Sequence, residues 1–300
     1  MTVVKMSKII VIVGPTGVGK TAASIYLAHK YNAEIINADS TGVYKDALIA
    51  TAKVTEKEKA GIVHHMLDLV SLDDDFTLYD YQVKGRKILN DLINQNKNII
   101  IVGGSGLYVK ALLYDYKLDK TDNVRVDYSE YTNQELKNMA DKIDKYNNIH
   151  VNNRQRLERY ITYYKQTGKT IKKTNDINKR LYDFDIIGLK SDRETLYKRM
   201  NDRVDIMLEN GLLEEAKRLK DKKNFNNIIG YKELKQYFDG NLSFNEAIDL
   251  IKQNTRRYSK RQFTWFNNQM KDIKWFNVNY DNFNETLNEI DLYLNKKGRK

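Results

Sequence analysis

The chain has 300 residues, 41% of them hydrophobic and 30% charged, enough for one large domain or two modest ones and too apolar for a disordered chain. Cysteine is absent, which excludes disulfides, thiolate metal sites and a cysteine nucleophile. The formal net charge is +11, which points to an anionic partner.

Ile9-Ile10-Val11-Ile12-Val13 is a continuous β-branched run ending at Gly14, the pattern of a strand buried on both faces. It is too short to cross a membrane, and no signal peptide is visible, so a cytoplasmic location with no membrane partner is expected; a monomer is expected as well. A Gly-rich turn leads into helical spacing over Thr21–Tyr31. Glu34–Asn37 reads as a second strand, Asp80–Asn94 as a helix and Asn98–Val102 as a third buried strand. Gly103-Gly104-Ser105-Gly106 then turns into a helix near Leu107. Strands alternating with helices through Gly-rich turns imply a parallel α/β sheet covered on both faces. Residues 115–180 are polar, rich in Lys, Asn and Tyr, and mainly helical by pattern. A return strand is expected over Phe184–Leu189, followed by helices from Asp192 to about Gln269. The expected organisation is one core from residues 1–114 and 181–300, with 115–180 as a helical insertion.

Gly14-Pro15-Thr16-Gly17-Val18-Gly19-Lys20-Thr21 matches G-x-x-x-x-G-K-[ST] between a strand and a helix. Glycines let the backbone wrap an anion with its N–H groups, and the helix N-terminus adds a favourable dipole. Lys20 supplies a positive charge to phosphate oxygens, and the Thr21 hydroxyl can ligate Mg²⁺. The implied fold is a P-loop NTPase-like α/β core binding a polyphosphate. That polyphosphate need not be ATP, because the strand Asn98–Val102 runs into Gly103-Gly104 without the acid that usually holds the metal of an NTPase. The nearest acid is Asp39, after Ile35-Ile36. It can be read as a metal ligand, as a general base at the C-terminal edge of the sheet, or as a turn residue before Ser40.

The positive charge is regional. Residues 145–181 carry ten Lys/Arg against two Asp/Glu, and residues 251–275 carry seven against one. In the second window Ile251, Thr255, Tyr258, Gln262 and Trp265 share one helical stripe, with Arg257, Lys260, Arg261 and Thr264 on the other side. Such a helix either packs on the core and faces phosphates or is a solvated surface helix; the first window favours nucleic acid. In that window Arg156, Arg159 and Tyr163 fall within two turns, as phosphate contacts and base stacking require. His64-His65 beside Asp68 reads as a hydrogen-bonding pair, since adjacent residues point apart and make poor joint metal ligands.

Taken in order, GPTGVGKT (14–21), NADSTGVY (37–44), TAK (51–53), GIVHHMLDLV (61–70), VGGSGLY (102–108), NNRQRLERY (152–160), RMNDRVDIMLENGLLEEA (199–216), IIGYKEL (228–234) and TRRYSKRQFTWF (255–266) span nearly the whole chain. This series resembles the tRNA dimethylallyltransferase (tRNA isopentenyltransferase) family. The resemblance implies transfer of a dimethylallyl group from dimethylallyl diphosphate to N6 of the adenosine 3′ to the anticodon of certain tRNAs, with Mg²⁺ as cofactor. It assigns Gly14 to Thr21 to diphosphate binding and Thr21 to the metal. Asp39, Thr21 and Arg203 take catalytic roles, Asp39 as base and Arg203 as a cation on the leaving group. It places Asp39, Ser40, Thr41, Gly42, Ser105, Gln155, Arg156, Leu157, Glu158 and Arg159 against the tRNA anticodon stem-loop, to which the charge pattern adds Arg257, Lys260 and Arg261. The chain departs from the family pattern at Gly42, usually Gln; at Ser105, usually Thr; at Val151 and Asn153, in a stretch that is usually His-Pro-Asn-Asp; and at Ala50, usually Gly. The competing expectations are a P-loop kinase or adenylate isopentenyltransferase acting on free nucleotide, neither of which needs two basic windows, and a nucleic-acid-dependent ATPase or RNA-binding module.

Overall fold

The five residues of the first apolar run are all buried and form β1 (Ile9–Val13). They alternate between two cores: Ile9, Val11 and Val13 face one side of the sheet, Ile10 and Ile12 the other. Each such isoleucine contributes roughly 1.5–3 kcal/mol through burial, so a continuous apolar strand is stable only where both faces are covered. The computed structural model describes residues 7–120, 126–171 and 179–297, which fall into two units, one within 1–114 and 180–300 and one within 115–179.

In the larger unit, α1 (Lys20–Tyr31), β2 (Ala33–Asn37), the single turn α2 (Glu56–Lys59), β3 (His64–His65), α3 (Leu78–Asn94), β4 (Asn98–Gly103) and α4 (Gly106–Leu113) follow β1. Helix α3 begins two residues before its first expected position, because the Thr77 hydroxyl and the Asp80 carboxylate close a reciprocal capping box. The smaller unit packs α5 (Asn133–Ile143) against α6 (Arg154–Thr167) around Leu136, Ala140, Leu157 and Ile161. The chain then returns through β5 (Asp185–Lys190), α7 (Arg193–Glu209), α8 (Leu212–Leu219), α9 (Tyr231–Phe238), α10 (Phe244–Gln269), β6 (Lys274–Asn277) and α11 (Phe283–Lys297).

Among the described residues six strands form one sheet in the order β3-β2-β4-β1-β5-β6, each paired in parallel with its neighbours. Strands β3 and β6 and helix α11 were not expected from the sequence. Both strands are short edge strands, and the β6 residues Lys274 and Asn277 are exposed, so neither has an apolar run to announce it. The register pairs Val13 with Gly103 and Asn37 with Val102. The segments leaving β1, β4 and β2 therefore emerge side by side at the C-terminal edge, where open α/β sheets bind ligands.

Candidate active site

The turn after β1 is shaped by its glycines. Gly14, Gly17 and Gly19 have φ of 149°, 80° and 102°, and a Cβ on Gly14 would stand 2.5 Å from the Leu189 carbonyl oxygen, so the loop tolerates no side chain there. Gly19 caps α1 in a left-handed conformation without a side-chain hydrogen bond to the helix, leaving first-turn N–H groups directed at the loop. Lys20 curls over the loop, its Nζ donating to the Gly14 and Pro15 carbonyls at 2.9 and 2.8 Å. Burial pushes its amine down to about 8; Asp39 opposes that shift and Arg203 reinforces it. Thr21 is exposed on the first turn of α1, whereas the Val18 side chain is wholly buried, so Val18 can offer an anion only its backbone.

Asp39 lies two residues beyond β2. Its Oδ1 accepts from the Thr41 N–H at 3.2 Å and from the Thr41 hydroxyl at 3.0 Å. The buried Asn37 carboxamide holds the turn from beneath, donating to the Asp39 and Met66 carbonyls and accepting from the Asp39 N–H. The Ser105 hydroxyl, at the start of α4, accepts from the Ser40 N–H at 3.0 Å and donates to Ser40 Oγ at 3.2 Å. Sterics explain the lack of an acid at the end of β4: a Cβ on Gly103 would meet the Ala38 carbonyl oxygen at 2.1 Å, and one on Gly104 would meet Gln262 Nε2 at 2.1 Å. The Asp39 Oδ2 stands 3.5 Å from that second position.

Arg203, half-buried on α7, has its Nη2 3.4 Å from the Ala52 carbonyl. Burial draws its pKa down, with Glu58 and Asp39 opposing. A cavity of about 320 Å³ brings Thr16, Asp39, Ser40, Thr41 and Arg203 together with an apolar wall that includes Met200, Val204, Met207, Ile228, Ile229 and Ile251. Met200, Val204 and Met207 recur at helical spacing on the same helix as Arg203, a signal present in the sequence that went unassigned. Tyr258 and Arg261 also line the cavity, and burial pushes the Tyr258 hydroxyl up to about 12. The segment carrying Ala50 to Ala52 is held by Glu215, a buried carboxylate that accepts from the N–H groups of Leu48, Ile49 and Ala50 and from the Tyr231 hydroxyl. Glu215 and Gln262 were missed as supporting residues, because only the folded chain brings them to the loops they hold.

On α10, Arg257, Lys260, Arg261 and Thr264 are exposed while Ile251 and Gln262 are buried, the two-sided helix that the spacing implied. In the smaller unit Gln155, Arg156 and Arg159 are exposed. Two of the residues expected at the tRNA, Leu157 and Gly42, are buried instead. Leu157 is fully buried, since its position in α6 turns it into the core formed with α5, and Glu158 is half-buried in a 2.7 Å ion pair with Arg154. Gly42 is buried against the Asn37 and Leu67 side chains and presents little surface to a ligand. His65 Nε2 pairs with Glu34 at 2.6 Å and His64 Nδ1 lies 2.9 Å from the Ile62 carbonyl. Among the described residues no group of three or more His, Cys, Asp or Glu could hold a metal ion. The exposed Thr21 hydroxyl beside Lys20 instead fits Mg²⁺, a cation that takes one or two protein oxygens and is otherwise held by phosphates and water.

The model of the IPP transferase family matches residues 42–269. A tRNA dimethylallyltransferase of Anoxybacillus flavithermus is 43% identical over 97% of both chains. The crystal structure of a tRNA isopentenylpyrophosphate transferase from Staphylococcus epidermidis superposes with a TM-score of 0.73 at 39% identity, covering 97% of this chain and 99% of that one. A eukaryotic dimethylallyltransferase captured acting on tRNA superposes with a TM-score of 0.74 at 29% identity, over 90% of this chain and 74% of that one. With three quarters of its length inside the family model and close relatives matched nearly end to end, the chain belongs to the IPP transferase family.

Proposed function

We propose that the chain transfers a dimethylallyl group from dimethylallyl diphosphate to N6 of the adenosine adjacent 3′ to the anticodon in certain tRNAs, releasing diphosphate. The observation that carries this reading is the cavity: one space of about 320 Å³ bordered by the phosphate loop, a carboxylate, a guanidinium and an apolar wall. An NTPase needs no apolar wall beside its phosphates, whereas a prenyl diphosphate needs both. The activities named for the matched relatives support the same substrates.

In this reading the loop N–H groups and Lys20 hold the diphosphate, and Arg203 faces it across the cavity. As the allylic C–O bond breaks, its electron pair leaves on the diphosphate, and fixed cations stabilise that growing charge. The N6 lone pair forms the new C–N bond, and the N6 proton passes to the Asp39 carboxylate, which balances the step. An exocyclic amine is a weak nucleophile, so a base held in place is worth about 10²–10⁴-fold. When bound, Mg²⁺ neutralises diphosphate charge, with Thr21 as its protein ligand. The base must leave the anticodon-loop stack to reach Asp39, at a cost of roughly a few kcal/mol. Arg257, Lys260 and Arg261 supply phosphate contacts, and the helical insertion at 115–180 supplies Gln155, Arg156 and Arg159. This reading fits a cytoplasmic location.

The test is incubation of purified protein with radiolabelled dimethylallyl diphosphate and either tRNA or AMP. Label is expected in tRNA alone. Label in AMP, or ATP turnover without prenyl transfer, would overturn the reading.

A further inference from the structure

One buried side chain joins the phosphate loop to the segment that follows β4. Gln262 of α10 accepts the Thr16 N–H of the phosphate loop through Oε1 at 2.8 Å and donates from Nε2 to the Gly104 carbonyl at 3.1 Å. It is 6% exposed, and the glycine at 104 leaves it just enough room, since a Cβ there would stand 2.1 Å from Nε2. The residue after Gly104 is Ser105, whose hydroxyl accepts the Ser40 N–H beside Asp39 at 3.0 Å. Gln262 therefore ties the loop that grips the leaving group to Gly104, and the adjacent Ser105 ties that same segment to the turn that presents the base.

We propose that Gln262 is a positioning residue that sets the spacing between the phosphate loop and the Asp39 turn. The inference rests on the prenyl-transfer reading above. In a displacement the nucleophile, the reacting carbon and the leaving group must align, and misplacement by about 1 Å costs about 10²-fold. The loop and the Asp39 turn leave different strands, β1 and β2, with β4 between them, so the sheet alone holds only their roots. The amide is suited to the task because it donates at one end and accepts at the other.

The test compares wild type with Gln262→Met, similar in volume but unable to make either hydrogen bond, and Gln262→Glu, which keeps the acceptor for Thr16 and loses the donor to Gly104. Single-turnover transfer is measured at saturating dimethylallyl diphosphate and tRNA, alongside equilibrium binding of inorganic diphosphate and of tRNA. The expected result for Gln262→Met is a rate about 10²-fold lower, with both affinities within about threefold of wild type; Gln262→Glu falls between. A Gln262→Met rate equal to wild type, or a loss confined to KM and abolished at saturation, overturns the assignment. If Gln262→Met fails to fold by circular dichroism, Gln262→Glu carries the test, and a wild-type rate in that variant overturns it. Failure of the underlying reading is distinct, because then wild type itself transfers nothing.

Discussion

The Asn37 Nδ2 atom lies 2.8 Å from the place a Cβ on Gly42 would occupy. Asn37 cannot swing aside without cost, because the same nitrogen donates to the Asp39 and Met66 carbonyls at 3.0 and 3.1 Å. Leu67 closes the other side at 3.1 Å. Gly42→Ala is therefore expected to destabilise the protein by about 1–3 kcal/mol, as overpacking does, and to slow transfer by disturbing the Asp39 turn. Gly42→Ala combined with Asn37→Ser should recover part of that loss. Urea unfolding of the double-mutant cycle checks it; additivity within about 0.5 kcal/mol would deny the contact.

Asp39→Asn keeps the size of the side chain and removes its capacity to take a proton. Transfer at saturating substrate should fall about 10²–10⁴-fold, with tRNA affinity nearly unchanged. Weakened tRNA binding with intact single-turnover chemistry would assign Asp39 to recognition instead.

Lys20 yields a pH dependence with a definite sign. Its folded-state value of about 8 lies below the ordinary lysine value of 10.5, and only the charged amine attracts an anion. Affinity for inorganic diphosphate should hold below about pH 8 and decline as the pH rises above it, a limb that Lys20→Met abolishes. Between about pH 8 and 10.5 the unfolded chain binds the proton more tightly than the folded one. This group's share of folding stability therefore rises with pH across that window and is lost as the pH falls through 8. Calorimetric titration and pH-dependent melts read the two effects separately.

Arg257 and Lys260 are exposed on α10 and lie outside the lining of the cavity. Replacing both by Ala should weaken tRNA binding and flatten the slope of log affinity against log salt by about 1.5. Filter binding across a salt series measures it; an unaltered slope would make α10 an ordinary solvated helix.

Much of the core could be read directly. Ile9–Val13, Asn98–Val102 and the P-loop between strand and helix carry local signals strong enough to survive without tertiary context. The short edge strands β3 and β6 carry none, because two to four residues held by a single neighbouring strand need no apolar alternation. Leu157 illustrates a different failure: a motif placed the whole run Gln155–Arg159 against a ligand, while helical geometry turns one residue of that run into the core. The supporting roles of Glu215 and Gln262 had no local signature, since each acts on a loop more than a hundred residues away.

Linear order was sufficient to specify a glycine loop for an anion, a carboxylate following the next strand, and two concentrations of positive charge. Those features depend on residue type and near-neighbour spacing, and the backbone obeys them locally. Folding alone decided that Met200, Val204 and Met207 would face Asp39 across one cavity, that Gly104 would yield its space to Gln262, and that Gly42 would be sealed beneath Asn37. The first two are meetings of distant segments, created when parallel strands bring their C-terminal ends to one edge and the helices close over it; in the third a short turn closes on itself and Leu67 completes the seal.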